Sequence, residues 1–197
     1  MPSKSTIGCA IEECQQFLHS IQNIPRIKAL FDGISGGKPK IECRPCSDEG
    51  AEGSARAALF NDIPPTLVLC TNRLNVRDLQ EAVTHELIHA YDYSNARCNF
   101  YECDGLAYTE VRAARESECS KYYPFEFLRN YCIQEHATRS TANLFGNGAR
   151  DCVKRVFDAA NADLHPLPKA TEKDEIHIPD SDTALIGPQL ESRTPPK

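Results

Sequence analysis

The sequence predicts a single α+β domain, mostly helical, with a small sheet that includes an edge strand. Three observations carry this. Apolar residues recur at helical spacing over several long stretches. One short β-favouring run, "PPTLVLC", is bounded by prolines and by "TNR". The chain has 197 residues, enough for one domain with a real core rather than two.

In chain order, residues 7–31 read as helical: Ile11, Phe17, Leu18, Ile21 and Ile24 recur with helical period. Pro25 and Gly33 mark interruptions or ends there. Residues 33–56 are rich in Gly, Pro and charge and suit a loop or short hairpin. The run Pro64–Cys70 is a strand, and its prolines fit the entry to an edge strand better than the middle of a sheet. Asn75 is an N-cap, with Asp78 in the first turn where a negative charge suits the helix dipole. Leu79, Ala82, Val83, Leu87, Ala90 and Tyr91 then fall along one side of a helix of about sixteen residues. A second helix begins near Asp104, another N-cap type, and runs through "GLAYTEVRAARESE"; further helices are predicted across 124–141 and 147–162. From Leu164 the character changes: six of the thirteen prolines lie there, with no Phe, Tyr or Trp. The expected organisation is therefore one domain over 1–163 and a flexible Pro-rich tail over 164–197.

The formal net charge of −6 disfavours a phosphate-backbone surface, so no nucleic-acid partner is expected. No apolar run approaches the ~18–20 residues of a membrane span. The first twenty residues lack the apolar run of a secretory signal, and are too acidic and Arg-poor for a matrix presequence. Ten cysteines without such a signal leave three readings. They are free buried thiols, disulfides in an oxidising compartment reached without a cleaved signal, or a second metal site built on Cys43-x-x-Cys46. The last needs a second close-spaced ligand pair, and Cys98 with Cys103 is the nearest.

The chemistry concentrates in "VTHELIHAYD", residues 83–92. On a helix, residues four apart lie one turn above the other, so His85 and His89 can turn two imidazoles toward one metal ion. Glu86 stands beside the first, where its carboxylate reaches a metal-bound water without being a ligand. Zinc lowers the pKa of such a water toward ~7, and the glutamate takes its proton as water attacks a peptide carbonyl. Leu87 and Ile88 are apolar, as a buried active-site helix requires, and the preceding strand offers an edge for an extended substrate. The bland alternative is a pair of surface histidines beside a solvated Glu.

A catalytic zinc usually takes three protein ligands. His177 and His165 fall in or at the start of the tail, and His19 reads as a surface residue of the first helix. Glu110 is the better candidate: it sits mid-helix among Ala107, Val111 and Ala114, where a carboxylate needs a cation. Arg112 or Arg115 could serve as that cation in an ordinary ion pair, and His136 is the fallback ligand. Asp92 either orients a ligating imidazole or faces water at the helix end. Tyr91, Tyr93 and Tyr108 could stabilise an oxyanion, but a tyrosine near a helix more often serves core or rim packing.

"VLCTN", "VTHELIHAYD", "TEVRAA" and "SEC", in this order and spacing, resemble the mitochondrial inner-membrane metalloprotease family of ATP synthase assembly, also described as Ku-binding in animals. The resemblance covers roughly residues 10–168 and is most specific over 66–119. It departs in the second helix, where Gly105 and Tyr108 stand in place of a family His and Cys; Glu110 keeps its place, which favours it as third ligand. Around Cys132–Ala137 both family arginines are gone, and Ala160 replaces another family Cys. Cys14, Cys43, Cys46, Cys70, Cys119 and Cys132 sit at family-like positions.

The resemblance implies a zincin-like metallopeptidase domain in the mitochondrial intermembrane space, peripheral to the inner membrane. It would process an ATP synthase subunit precursor and separately assist assembly. Import coupled to thiol oxidation would also resolve the cysteine puzzle. The expected site is Zn²⁺ held by His85, His89 and Glu110, with Glu86 as general base. The rival is a non-proteolytic assembly chaperone with a vestigial zinc site.

Overall fold

The computed structural model describes residues 8–49, 57–60 and 64–167. The chain begins with two helices, α1 (Ile11–Ile21) and α2 (Pro25–Gly33), where one interrupted helical stretch is predicted. The break falls before Pro25, which takes the first position of α2, where its missing N–H costs nothing. Ile27 and Leu30 of α2 enter the core with Cys14 and Ile21 of α1.

Three strands follow: β1 (Lys40–Arg44), β2 (Ala57–Phe60) and β3 (Thr66–Cys70), in the order β1-β3-β2. β1 runs parallel to β3 with Lys40 opposite Thr66, and β2 runs antiparallel with Ala57 opposite Leu69. This corrects two expectations. β1 lies in the segment read as a loop or hairpin, and β3 is the middle strand, not an edge. The reason is visible in its side chains: Leu67 and Leu69 face one core and Val68 and Cys70 another, so both faces are covered. Its prolines precede the ladder, where the Pro65 carbonyl accepts from the Lys40 N–H at 2.9 Å. The edges are β1 and β2.

α3 (Val76–Ser94) begins as the sequence predicts: the Asn75 side chain accepts from the N–H groups of Arg77 at 2.9 Å and Asp78 at 3.1 Å. It runs to nineteen residues, longer than expected. α4 (Cys103–Glu116) starts after Glu102, so Asp104 lies inside the first turn and pairs with Arg155 rather than capping. A short 3₁₀ turn leads to α5 (Glu126–Phe145), and another to α6 (Ala149–Ala162).

The core has two main parts. α1, α2, β3 and α3 enclose one; α4, α5 and α6 enclose the other around Val111, Ile133 and Phe157. Arg112 and Arg115 of α4 are fully buried. Arg115 donates to the carbonyls of Ala160, Asn161 and Asp163 at the end of α6, where the Ala160 carbonyl also accepts the capping N–H of Asp163. Glu116 beside it pairs with Arg26 of α2, which ties the helical half to the sheet half.

Four disulfides join Cys14 to Cys43, Cys46 to Cys70, Cys103 to Cys152 and Cys119 to Cys132, leaving Cys9 and Cys98 as thiols. Cys43 and Cys46 therefore hold separate bridges and no metal. Tyr108 and Ala160 lie on α4 and α6, the pair that Cys103–Cys152 joins. Beyond Leu167 the expected tail lies outside the described residues; Leu167 itself is buried in the first core.

Candidate metal centre

α3 and α4 pack against each other, and that contact brings together the residues the sequence singles out. His85 and His89, one turn apart on α3, have ring centroids 4.8 Å apart and cross at 77°. Glu110 projects from α4 with one carboxylate oxygen 3.6 Å from His85 Nε2 and the other 3.7 Å from His89 Nε2. One donor atom from each residue lies within 4.8 Å of the others. An ion with tetrahedral bonds of ~2.0–2.1 Å spaces its ligands ~3.4 Å apart, so the trio is close to that arrangement.

The surroundings test whether these residues fit a cation. Glu110 is buried, and its Oε2 has no hydrogen-bond partner among the described residues. A buried carboxylate oxygen without a partner is costly unless a positive charge faces it. The expected ion-pair partners are engaged elsewhere: Arg112 with Asp92, and Arg115 with Glu116. Two imidazole nitrogens and one carboxylate form a borderline-hard donor set suited to zinc.

Each imidazole is fixed through its other nitrogen. His85 Nδ1 lies 3.1 Å from one Glu118 oxygen and 3.2 Å from the other. His89 Nδ1 lies 2.9 Å from Thr109 Oγ1, whose hydroxyl donates to Asp92 Oδ2 at 2.9 Å. Asp92, fully buried, is held in turn by Arg112. Asp92 thus reaches His89 through a threonine, not directly. The acceptors at both Nδ1 atoms leave each Nε2 as the nitrogen that faces Glu110 and would take a metal ion once deprotonated.

The two rings differ electrostatically. Burial works against a charged His85, but its hydrogen bonds and charge interactions with Glu110 and Glu118 outweigh this and raise its pKa well above the usual value, so a cation bound there would take the place of a proton. Burial works against a charged His89 and lowers its pKa to about 4, keeping it neutral. Burial also disfavours the Glu110 carboxylate, but the neighbouring histidines outweigh this and hold its pKa below the usual value. Glu86, half-buried beside His85, is pushed up to about 7, first by burial, against the pull of His85, and then by the charges of Glu110 and Glu118.

Sequence reasoning missed Thr109 and Glu118. Thr109 adjoins Glu110, and Glu118 lies in the "SEC" segment, yet only the approach of α4 to α3 gives either a partner. Gly105 lies in the first turn of α4, outside the metal group; a Cβ there would stand 2.0 Å from the Asn99 carbonyl oxygen, so the 99–101 loop packs directly on this helix. Tyr108 donates to Asp163 Oδ2 at 2.7 Å. His136 neighbours the Cys119–Cys132 bridge, His19 contacts Gln22, and His165 contacts Asp163; His177 lies outside the described residues.

The family pattern of the Peptidase M76 family matches residues 12–168. The human mitochondrial inner membrane protease ATP23 homolog is 29% identical over 171 residues, covering 79% of this chain and 69% of its own length. Those of Xenopus laevis and Danio rerio are each 30% identical over 170 residues, covering 79% of this chain and 72% and 66% of their own lengths. No solved structure matches. Among the described residues no helix is long and apolar enough to cross a membrane. The matched span contains both helices of the candidate metal centre and nearly all of the packed core, and the chain belongs to the Peptidase M76 family and is a peptidase.

Proposed function

We propose that this chain is a zinc-dependent endopeptidase with a zincin-like site, in which His85, His89 and Glu110 hold Zn²⁺ and Glu86 is the general base. The observation that carries the reading is the convergence of both Nε2 atoms on a buried carboxylate whose Oε2 lacks any other partner. Zinc bound there supplies Lewis acidity and a water acidified toward ~7. Glu86 accepts the proton of the attacking water and returns it to the departing amine, a role suited to a carboxyl with a pKa near neutrality. Glu118 and Thr109 hold the rings so that neither turns during turnover. An extended peptide adds to the outer edge of β2, the edge strand that packs against α3, in the role the sequence suggested for β3.

The relatives' names, mitochondrial inner membrane proteases, the cysteines and the sequence resemblance support the setting. We place the protein in the mitochondrial intermembrane space, peripheral to the inner membrane, where it processes a precursor subunit of ATP synthase and assists its assembly. Four disulfides suit an oxidising compartment. A non-proteolytic assembly chaperone was suggested by the substitutions at Gly105 and Tyr108. Packing accounts for both: Asn99 leaves no room at 105, and Tyr108 bonds Asp163.

The test is Glu86→Gln. Peptide cleavage is expected to fall by at least ~10²–10⁴-fold, with bound zinc nearly unchanged. Cleavage at the wild-type rate would remove Glu86 from the mechanism. Full biological activity in a cleavage-dead variant would favour the chaperone.

A further inference from the structure

A cavity of about 470 Å³ lies at the end of α3, lined by Tyr93, Ser94 and Ala96, by 98–101, by Ser35 and Gly36, and by Pro65; Phe100 in its wall is the residue that meets His89. Its size falls within the ~300–1,000 Å³ of ligand pockets. Its position follows from helix geometry. His85, His89 and Tyr93 stand at i, i+4 and i+8, so Tyr93 lies one turn, ~5.4 Å, beyond the second histidine on the same face. Phe100 bridges the two: its ring centroid is 6.0 Å from that of His89 and 5.8 Å from that of Tyr93, edge-on to both. An extended peptide advances ~3.3 Å per residue with side chains alternating, so a residue flanking the scissile bond reaches this distance.

The lining gives the chemistry. Among the described residues that form it there is no Asp, Glu, Lys, Arg or His; Tyr93, Phe100, Tyr101 and Pro65 supply broad apolar faces. Burial raises the pKa of the Cys98 thiol to about 11, so it too is neutral. One wall is fixed by the backbone contact between Asn99 and Gly105. A second cavity, of about 390 Å³ between α1 and α2, is lined by His19, Lys28, Asp32 and Lys38, basic and acidic side chains of kinds that the first cavity lacks among the described residues.

We infer that the Tyr93–Phe100 cavity is a specificity pocket that takes one large, uncharged side chain, aromatic or branched aliphatic, from the substrate residue next to the cleaved bond. This rests on the zinc-peptidase reading and names the substrate class of that site. A charged side chain entering it loses its hydration and gains no counter-charge, whereas an aromatic one buries its surface against three rings.

The experiment measures affinities of peptidyl hydroxamates, which anchor on protein-bound zinc, with Phe, Leu, Ala or Asp next to the anchor. Phe and Leu compounds are expected to bind about tenfold or more tighter than Ala, with Asp weakest. Tyr101→Ala, at a side chain 83% exposed and so tolerant of change, should weaken the Phe and Leu compounds several-fold and leave the Ala compound unaltered. Equal affinities across the series in zinc-loaded protein would overturn the pocket and leave the metal centre standing. Protein that holds no zinc would overturn both.

Discussion

Single residues set the donor geometry at the centre. Glu118 and Thr109 touch the His85 and His89 rings, so under the proposed zinc site their substitution should act on metal affinity. Glu118→Gln and Thr109→Val are each expected to weaken zinc binding by ~10–100-fold against a competing chelator. The metal-free proteins should melt close to wild type; unchanged chelator competition would show the rings need no anchor. Another residue governs acid stability. Burial raises the Asp163 pKa, but hydrogen bonds from Tyr108 and His165 and the charge of Arg112 outweigh this and depress it well below the usual value. A depressed carboxylate contributes stability above its unfolded pKa of ~4 and loses that contribution as pH falls further. Between pH 7 and pH 3 the urea midpoint of wild type should therefore drop more than that of Asp163→Asn, and parallel curves would contradict this. The residues of the centre were unequally legible. His85, Glu86 and His89 are local in sequence, and one helical turn aligns them. Glu110 stands out because a carboxylate among Ala107, Val111 and Ala114 needs a cation, and the structure sets it between the two imidazoles that the proposed site uses. Thr109 and Glu118 gain their roles only through the packing of α4 on α3, which no local pattern encodes.

At the scale of elements, propensity and tertiary packing divide the account. The Asn75 cap and the apolar stripe of α3 are local signals, and the helix forms where they place it. β3 shows the opposite case. Its flanking prolines suggested an edge, while the unbroken run "TLVLC" was the stronger sign, because a strand buried on both faces has no polar alternation. β1 was hidden because its alternation of Lys40, Glu42 and Arg44 with Ile41 and Cys43 spans only five residues within a Gly- and Pro-rich segment, and pairing with β3 is what makes it a strand. The junction of α4 with its preceding loop gives a sharp prediction. Gly105→Ala would set a Cβ 2.0 Å from the Asn99 carbonyl, against backbone that cannot yield cheaply. It should destabilise by about 1–3 kcal/mol in chemical denaturation. It should also displace the pocket wall, changing hydroxamate selectivity more than zinc content. A neutral effect on both would show that the loop is not held by this contact.

For the whole molecule, the disulfides matter most. Three bridges close loops of 13 to 29 residues, and Cys103–Cys152 closes one of 49. Loop-entropy reasoning assigns this longest bridge about 4 kcal/mol. The Cys103→Ser, Cys152→Ser double variant should accordingly melt well below wild type. Denatured, unreduced protein should show two thiols, from Cys9 and Cys98; ten would remove the oxidising-compartment argument. The even cysteine count hinted at this from sequence, but connectivity depends on the whole fold. It joins α1 to β1 and α4 to α6, contacts that lie far apart along the chain.

The most direct test of the account is metal analysis of purified protein, wild type beside Glu110→Ala. If two imidazoles and that buried carboxylate share one ion, wild type should carry one zinc per chain, and the variant should lose most of it under mild chelation. Equal zinc in both, or none in wild type purified with zinc present, would contradict the shared site.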